Sequence, residues 1–357
     1  MLKRSNLKGI SLFSSAGIGE LYISELGIEI VAANELVEKR AKCYKYIYPD
    51  TPIIYGDIRH KKIKNEIKSY ISEEVKLLIA TPPCQGISTL GKNKSQDHFE
   101  RDKRNYLIFD TLELIDFGNF NFILIENVPR FLKMLFPYGG RLLTLEEILL
   151  QRYSKDYSIE AAILDAKDYG VAQTRPRAIV KMYKNGLKWE WPQKEKEITI
   201  REAIGHLPSL EAGEKSDIPL HFAKKHREQL VWALKNTPEG KSALKNETHY
   251  PKKENGDRIK GFHNTFKRMS WSQPAHARTT YSGSISSHNN VHPGRALKDG
   301  TYSDARVLTL LETFIVSSLP ESFRLPDWAS DSFSRTMIGE SIPPLMMKKI
   351  LGRINIE

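Results

Sequence analysis

The first half of the chain alternates between two hydrophobic patterns. Short apolar runs, Gly9–Phe13, Ile28–Ala33, Leu77–Ala80 and Phe122–Ile125, are separated by longer stretches with helical spacing of apolar residues. Such runs read as buried strands, and the stretches between them as helices that cover the sheet. Helices are predicted near Ile18–Leu26, Leu36–Ile47 and Tyr106–Phe117. Ile159–Asp165 and Arg177–Tyr183 are predicted to pair antiparallel around a turn at Tyr169-Gly170. The fold class that follows is α/β, with a doubly wound mixed sheet.

Past Trp191-Pro192 the periodicity fades. Residues 193–300 are polar, basic and rich in Gly, Pro, His and Ser. Only Arg201–Leu207 and His226–Lys235 suggest short helices there. A smaller, irregular α+β domain is predicted over 191–325. The larger domain, 1–190, is completed by 326–357, where Ser341–Ile354 reads as a helix with Pro343 and Pro344 in its first turn.

Composition narrows the function. The net charge of +11 over 357 residues suggests a polyanionic partner. Lys61, Lys62, Lys64 and Lys68 also fit a solvated helix face, so charge favours nucleic acid only slightly. Two cysteines, Cys43 and Cys84, leave no disulfide framework and imply a reducing, cytoplasmic setting. No run is long enough to span a membrane. The ten histidines show no ligand spacing, so no metal is expected.

Most chemistry-bearing residues fall after the predicted strands, where ligands bind in open α/β sheets, and Arg175 and Arg177 stand at a strand entrance. Cys84 stands in Thr81-Pro82-Pro83-Cys84-Gln85-Gly86, and the prolines end the strand and stiffen the loop. A buried structural cysteine is the competing reading. Phe13-Ser14-Ser15-Ala16-Gly17 joins the first strand to a helix and lets a nucleotide-like cofactor approach the backbone. Glu35 ends the second strand, placed to bind ribose hydroxyls, and Asp57 could accept from an adenine amino group. Singly, each acid also fits a helix cap or a solvated charge. Glu126 ends another apolar strand, where burial favours the neutral acid; an ion-pair partner is the alternative. Arg175 and Arg177 offer planar forks for a carbonyl, carboxylate or phosphate.

In this order, Phe-Ser-x-Ala-Gly, Asn-Glu, Gly-Asp, Pro-Pro-Cys-Gln, Glu-Asn-Val, Gln-x-Arg-x-Arg and a late Gly-x-x-x-Pro-Pro resemble the DNA (cytosine-5) methyltransferase family. The match covers residues 9–185 and about 303–350. The resemblance implies a Rossmann-like S-adenosyl-L-methionine-dependent fold and a flipped-out cytosine as substrate. Cys84 becomes the nucleophile, Glu126 contacts the N3 edge, and Arg177 contacts the base carbonyl with Arg175 in support. Phe13, Ser14, Ala16, Gly17, Glu35, Leu36, Asp57, Ile58, Pro83 and Leu107 would line the cofactor pocket, closed by Glu340 and Ser341. Ile87–Arg104 matches a loop that closes over substrate. Three residues depart from the pattern. Ser11 replaces the usual acid, Ser15 a glycine, and Glu340 an asparagine.

The middle domain would read the target. Expected DNA contacts are Gln85 beside the cysteine, Ser88, Lys92 and Lys94 in the closing loop, and Arg268, Arg278, Thr279, Ser284 and Asn290 in the basic region. The resemblance also implies double-stranded DNA as partner, a cognate restriction endonuclease, a monomer, and a nucleoid-associated cytoplasmic location. An RNA cytosine-5 methyltransferase and a non-catalytic DNA-binding relative are the alternatives. The long basic insert favours duplex DNA over the first, and intact Cys84, Glu126 and Arg177 argue against the second.

Overall fold

The apolar runs become strands of one seven-stranded sheet. The computed structural model describes residues 6–83 and 102–355. Its sheet contains β1 Leu7–Leu12, β2 Ile28–Glu35, β3 Ile53–Tyr55, β4 Val75–Ala80, β5 Phe122–Asn127, β6 Tyr157–Asp165 and β7 Pro176–Lys184. The strand order is β3-β2-β1-β4-β5-β7-β6. The first five strands are parallel, and β7 is antiparallel to both β5 and β6. Every residue of β5 is buried, which explains its unbroken apolar run. The chain builds outward from β1 to β3, then crosses back to β4. That reversal opens a crevice at the carboxyl ends of β1 and β4.

Around the sheet stand α1 Glu38–Ile47, α2 Lys61–Ser69, α3 Leu107–Phe117 and α4 Leu145–Tyr153. Ile10, Leu12, Leu78, Ile123 and Ile125 of the sheet share a core with Ile67, Leu112 and Ile148 of the helices. The predicted solvated face of α2 is in part an ion-pair face. Lys64 is largely covered and bonds Asp110 at 3.0 Å, and Lys68 bonds Glu113 at 3.0 Å. The helix predicted at Ile18–Leu26 forms instead as two 3-10 turns, Ile18–Glu20 and Ile23–Leu26. Left-handed Gly17 and Gly27 bracket the segment, and Tyr22 interrupts it at φ −112°.

Two compact units divide the chain. The first holds residues through Asp165, Pro176–Gln193 and the chain from Met347; the second holds Ala166–Arg175 and Lys194–Met346. The second unit has little regular structure. Its helices are α5 Ile200–Ile204, α6 Glu228–Lys235, α7 Leu310–Val316 and α8 Asp331–Glu340. One apolar cluster gathers Ile200, Ile204, Met269, Trp271 and Leu311; another gathers Leu234, Phe266, Ile285, Val291 and Val307. With few ladders available, buried arginines satisfy many backbone carbonyls. Arg306 reaches the Leu210 carbonyl at 2.7 Å while pairing with Asp304 and Glu312 at 2.8 Å each.

Candidate functional site

The turn after β1 is held in an unusual conformation. Phe13, Ser15 and Gly17 have φ of 58°, 50° and 71°. Two of these residues carry side chains, so the loop stores strain of the kind found at ligand sites. Ser14 N–H donates to the Asn34 carbonyl at 3.0 Å, and Gly17 N–H to the Ser14 carbonyl at 2.9 Å. Ser14 Oγ donates to the same Asn34 carbonyl at 3.3 Å. Glu35, buried at the end of β2, accepts from Ser15 N–H at 2.9 Å and from Val37 N–H at 2.7 Å. Its carboxylate is therefore fixed against the loop, and each oxygen has a second lone pair for a further donor.

Around this turn the expected pocket residues are distributed unevenly. Ala16 and Ile58 are buried, Phe13 is half-buried, and Leu36 is 53% exposed beside Glu35. Leu107 opens α3 as a core residue. Pro83 is half-buried. Asp57, expected to meet an adenine amine, accepts instead from the Arg59 backbone at 3.0 Å and from its guanidinium at 2.5–3.1 Å. That pairing holds the Asp57 carboxyl below its usual range. Asn34 Nδ2 ties β2 to β3 and the residue that follows it, donating to the carbonyls of Ile54 at 2.8 Å and Gly56 at 3.1 Å.

Glu126 and Arg177 meet because of strand register. Ile179 of β7 lies opposite Glu126 of β5. Side chains alternate with period two, so Arg177 shares the face of Ile179 one pleat away. Its Nε lies 2.8 Å from Glu126 Oε1, with both side chains largely covered. The pair stands at the carboxyl end of β5, one residue before Asn127.

Two further residues fix the Thr81-Pro82-Pro83 segment, which precedes Cys84 in the chain. Asn127 Nδ2 donates to the Pro82 carbonyl at 3.0 Å, while its Oδ1 accepts from Val128 N–H at 2.8 Å. Thr81 donates from its backbone to the Leu12 carbonyl at 3.2 Å and from Oγ1 to the Phe13 carbonyl at 3.0 Å. The Thr81-Pro82-Pro83 segment is thus stapled both to β5 and to the strained turn. Cys84, Gln85, Ser88, Lys92 and Lys94 lie outside the described residues. Reading residues one at a time passes over Asn127 and Thr81. Their signal is adjacency, because each directly borders a reactive or proline-locked position.

The second unit corrects several expectations. Arg175 is a buried strut, donating to the carbonyls of Arg278 at 2.9 Å and Gly339 at 2.7 Å. Arg268 is fully buried and donates to the carbonyls of Leu234, His292, Tyr302, Ser303 and Asp304. Arg278, also buried, donates to the carbonyls of His276 at 2.8 Å and Asn289 at 3.2 Å, and to Asn290 Oδ1 at 2.9 Å. Asn290 Nδ2 donates to the carbonyls of Ser282 and Ser284 at 2.7 Å each. Arg268, Arg278 and Asn290 are therefore interior braces rather than DNA contacts, since their polar atoms are committed to folding loops. Burial pushes the Arg268 guanidinium down to about 10 and that of Arg278 to about 9, so both stay cationic at neutral pH.

Thr279 is half-buried and Ser284 exposed, with Ser284 Oγ 2.8 Å from Ser286 Oγ. The aromatic surface near them went unnoticed in sequence. Tyr281 is 77% and Phe262 74% exposed, and Phe262 meets the His288 ring edge-on. Glu340 and Ser341 belong to the second unit, where Ser341 Oγ donates to the Ile338 carbonyl at 3.1 Å. Among the described residues no helix is long and apolar enough to cross a membrane.

Comparison with known proteins points in one direction. A family model described as C-5 cytosine-specific DNA methylase matches residues 7–355. The Type II methyltransferase M1.HgaI of Avibacterium volantium is 44% identical over 352 residues, covering 98% of this chain and 99% of that protein. The Type II methyltransferase M1.HphI of Haemophilus parahaemolyticus is 26% identical, covering 97% of this chain and 86% of that one. Among solved structures, a prophage-encoded protein of E. coli is 20% identical with a TM-score of 0.67 over 97% of each chain. The Entamoeba histolytica methyltransferase EhMeth is 16% identical with a TM-score of 0.65, again over 97% of each. These structural likenesses show a shared fold.

Proposed function

The chain belongs to the C-5 cytosine-specific DNA methylase family, and from that premise we propose that it methylates C5 of a cytosine flipped out of duplex DNA. The methyl donor in this reading is S-adenosyl-L-methionine, whose bound form supplies an electrophilic sulfonium methyl. The first unit fits such a group. Glu35, clamped by Ser15 and Val37, suits a ribose diol, and exposed Leu36 suits the face of a purine.

The observation that carries the reading is the Glu126–Arg177 pair at 2.8 Å, beside a proline segment stapled by Asn127 and Thr81. C5 of cytosine is a poor nucleophile. Addition of the Cys84 thiolate to C6 places electron density at C5. Glu126 stabilises that charge by holding a proton at N3, and Arg177 does so at the base carbonyl. C5 then takes the methyl group, a base removes the C5 proton, and the C6–sulfur bond breaks to release the thiolate. A stacked base cannot be reached from both faces, so the cytosine leaves the helix first.

The second unit, with Gln85 and the closing-loop residues Ser88, Lys92 and Lys94, would select the sequence. Thr279, Ser284, Tyr281 and Phe262 are its surface groups for that task. The similarity to Type II methyltransferases supports a protective role beside a restriction endonuclease.

The test is 5-fluorocytosine duplex DNA, in which C5 carries no proton to lose. An adduct that survives denaturation, and is absent with Cys84→Ala, is the expected result. Turnover by Cys84→Ala would refute the covalent route, and labelling of RNA rather than duplex DNA would refute the substrate.

A further inference from the structure

Beneath the strained turn lies a buried carboxylate that the mechanism above does not use. Glu20 closes the first 3-10 turn with only 5% of its surface exposed. Ser11 Oγ of β1 donates to Glu20 Oε1 at 2.5 Å, and the Tyr44 hydroxyl of α1 donates to Oε2 at 2.7 Å. The same residue's N–H donates to the Gly17 carbonyl at 3.0 Å, which also accepts from the Tyr48 hydroxyl at 2.7 Å. The Tyr44 and Tyr48 rings lie 4.8 Å apart, centroid to centroid. They fill the space a side chain at position 17 would need, since a Cβ there would sit 2.4 Å from Tyr48 and 2.8 Å from Tyr44. One carboxylate thus ties β1, the turn and α1 together at the point where the backbone enters its left-handed conformation.

We propose that Glu20 is a positioning residue for cofactor binding: its two hydroxyl bonds set the backbone at Gly17, and through it the Ser14–Ser15 contacts with Asn34 and Glu35. The proposal rests on the reading of that turn as the S-adenosylmethionine site. A carboxylate buried beside hydroxyls is an expensive way to fill a core, and a purely apolar side chain would pack there at lower cost. Among the described residues, the groups facing it are Ser11 from β1, Tyr44 from α1 and Tyr48 just beyond, and none of these is a cation. Burial accordingly pushes the Glu20 carboxyl up to about 7. Ionised, it accepts from both hydroxyls. Protonated, one of its oxygens carries a proton and accepts its hydroxyl bond more weakly.

The experiment is calorimetric titration of the full chain with S-adenosylmethionine at pH 6 and pH 8. Wild type, Glu20→Gln and Tyr44→Phe are compared, with the KM for cofactor and kcat measured alongside. At pH 8, Glu20→Gln should bind about tenfold more weakly, the scale of losing one hydrogen bond to a charged group. KM should rise by a similar factor and kcat should fall by less. Wild type should lose most of that factor on going to pH 6, whereas Glu20→Gln should show little change. Tyr44→Phe keeps the ring and deletes one bond, so it should shift affinity in the same direction and decides the matter if Glu20→Gln does not fold. Wild-type affinity at pH 8 in Glu20→Gln, or in Tyr44→Phe, overturns the positioning role alone. A wild-type chain that takes up no S-adenosylmethionine overturns the cofactor reading and the proposal with it.

Discussion

Replacing Arg268 by alanine separates an interior brace from a DNA contact. The guanidinium donates to five carbonyls at 2.9–3.5 Å, from Leu234, His292, Tyr302, Ser303 and Asp304. It is fully buried, and its Nη1 packs so closely on Gly294 that a Cβ there would approach to 2.3 Å. Truncation takes the donor from the His292, Tyr302 and Ser303 carbonyls, whereas Leu234 still accepts from Thr237 N–H at 2.9 Å and Asp304 from Arg306 N–H at 2.8 Å. At about 1 kcal/mol for each of these three, the low end for a buried group left unsatisfied, the loss is about 3 kcal/mol. Water entering the vacated space recovers part of this, so about 2–3 kcal/mol is expected, a sizeable share of a domain's stability. Lysine keeps the charge but offers a single ammonium with three donors, and should recover less than half. Urea denaturation followed by tryptophan fluorescence reads the effect. Trp271 is buried and donates to the Gly294 carbonyl at 2.6 Å, so it reports on this neighbourhood. The reasoning is refuted if Arg268→Ala keeps its stability within about 1 kcal/mol while the salt dependence of DNA binding drops by about one charge, the signature of a lost phosphate contact.

Three further outcomes follow from the geometry. Glu126→Gln should lower the single-turnover methylation rate roughly 10²-fold, the usual scale of a general acid, with cofactor affinity little changed; collapse of cofactor binding would reassign the residue. Glu20 holds a proton in the folded chain up to about pH 7, whereas an ordinary glutamate releases it near 4.5, so stability should fall as pH rises through that window. The change is at most about 3 kcal/mol, and thermal melts of Glu20→Gln should lack it. Gly339→Ala should destabilise by about 2 kcal/mol or more, because the new Cβ would meet the Thr279–Thr280 backbone at 2.5 Å; an unchanged melting temperature would show that α8 can shift away from that loop.

Most strands of the larger unit were legible in the sequence alone. Unbroken apolar runs can be stable only as strands covered on both faces, so Phe122–Ile125 specified a central strand wherever it lay in the sheet. Most of the candidate motifs were legible because they follow a strand, whereas Arg175 and Arg177 stand at the start of one; strand ends are set locally by prolines, glycines and polar residues. The helix predicted at Ile18–Leu26 failed for a non-local reason. Glu20 bonds to Ser11 and Tyr44, on two other elements, and the turn tightens to deliver it there.

Only tertiary structure decided which polar residues face water. Arg268, Arg278 and Asn290 have the composition of a DNA-binding surface, and in sequence nothing separates them from exposed neighbours such as Ser284. In a unit with few strands and short helices, backbone carbonyls must find donors elsewhere, and long forked arginine side chains reach several at once. That demand depends on where distant loops pass one another. The pairing of Glu126 with Arg177 was likewise a matter of register. Which residue of β7 lies opposite Glu126 is set by the whole strand's packing, and a slip of one residue would turn Arg177 to the other face.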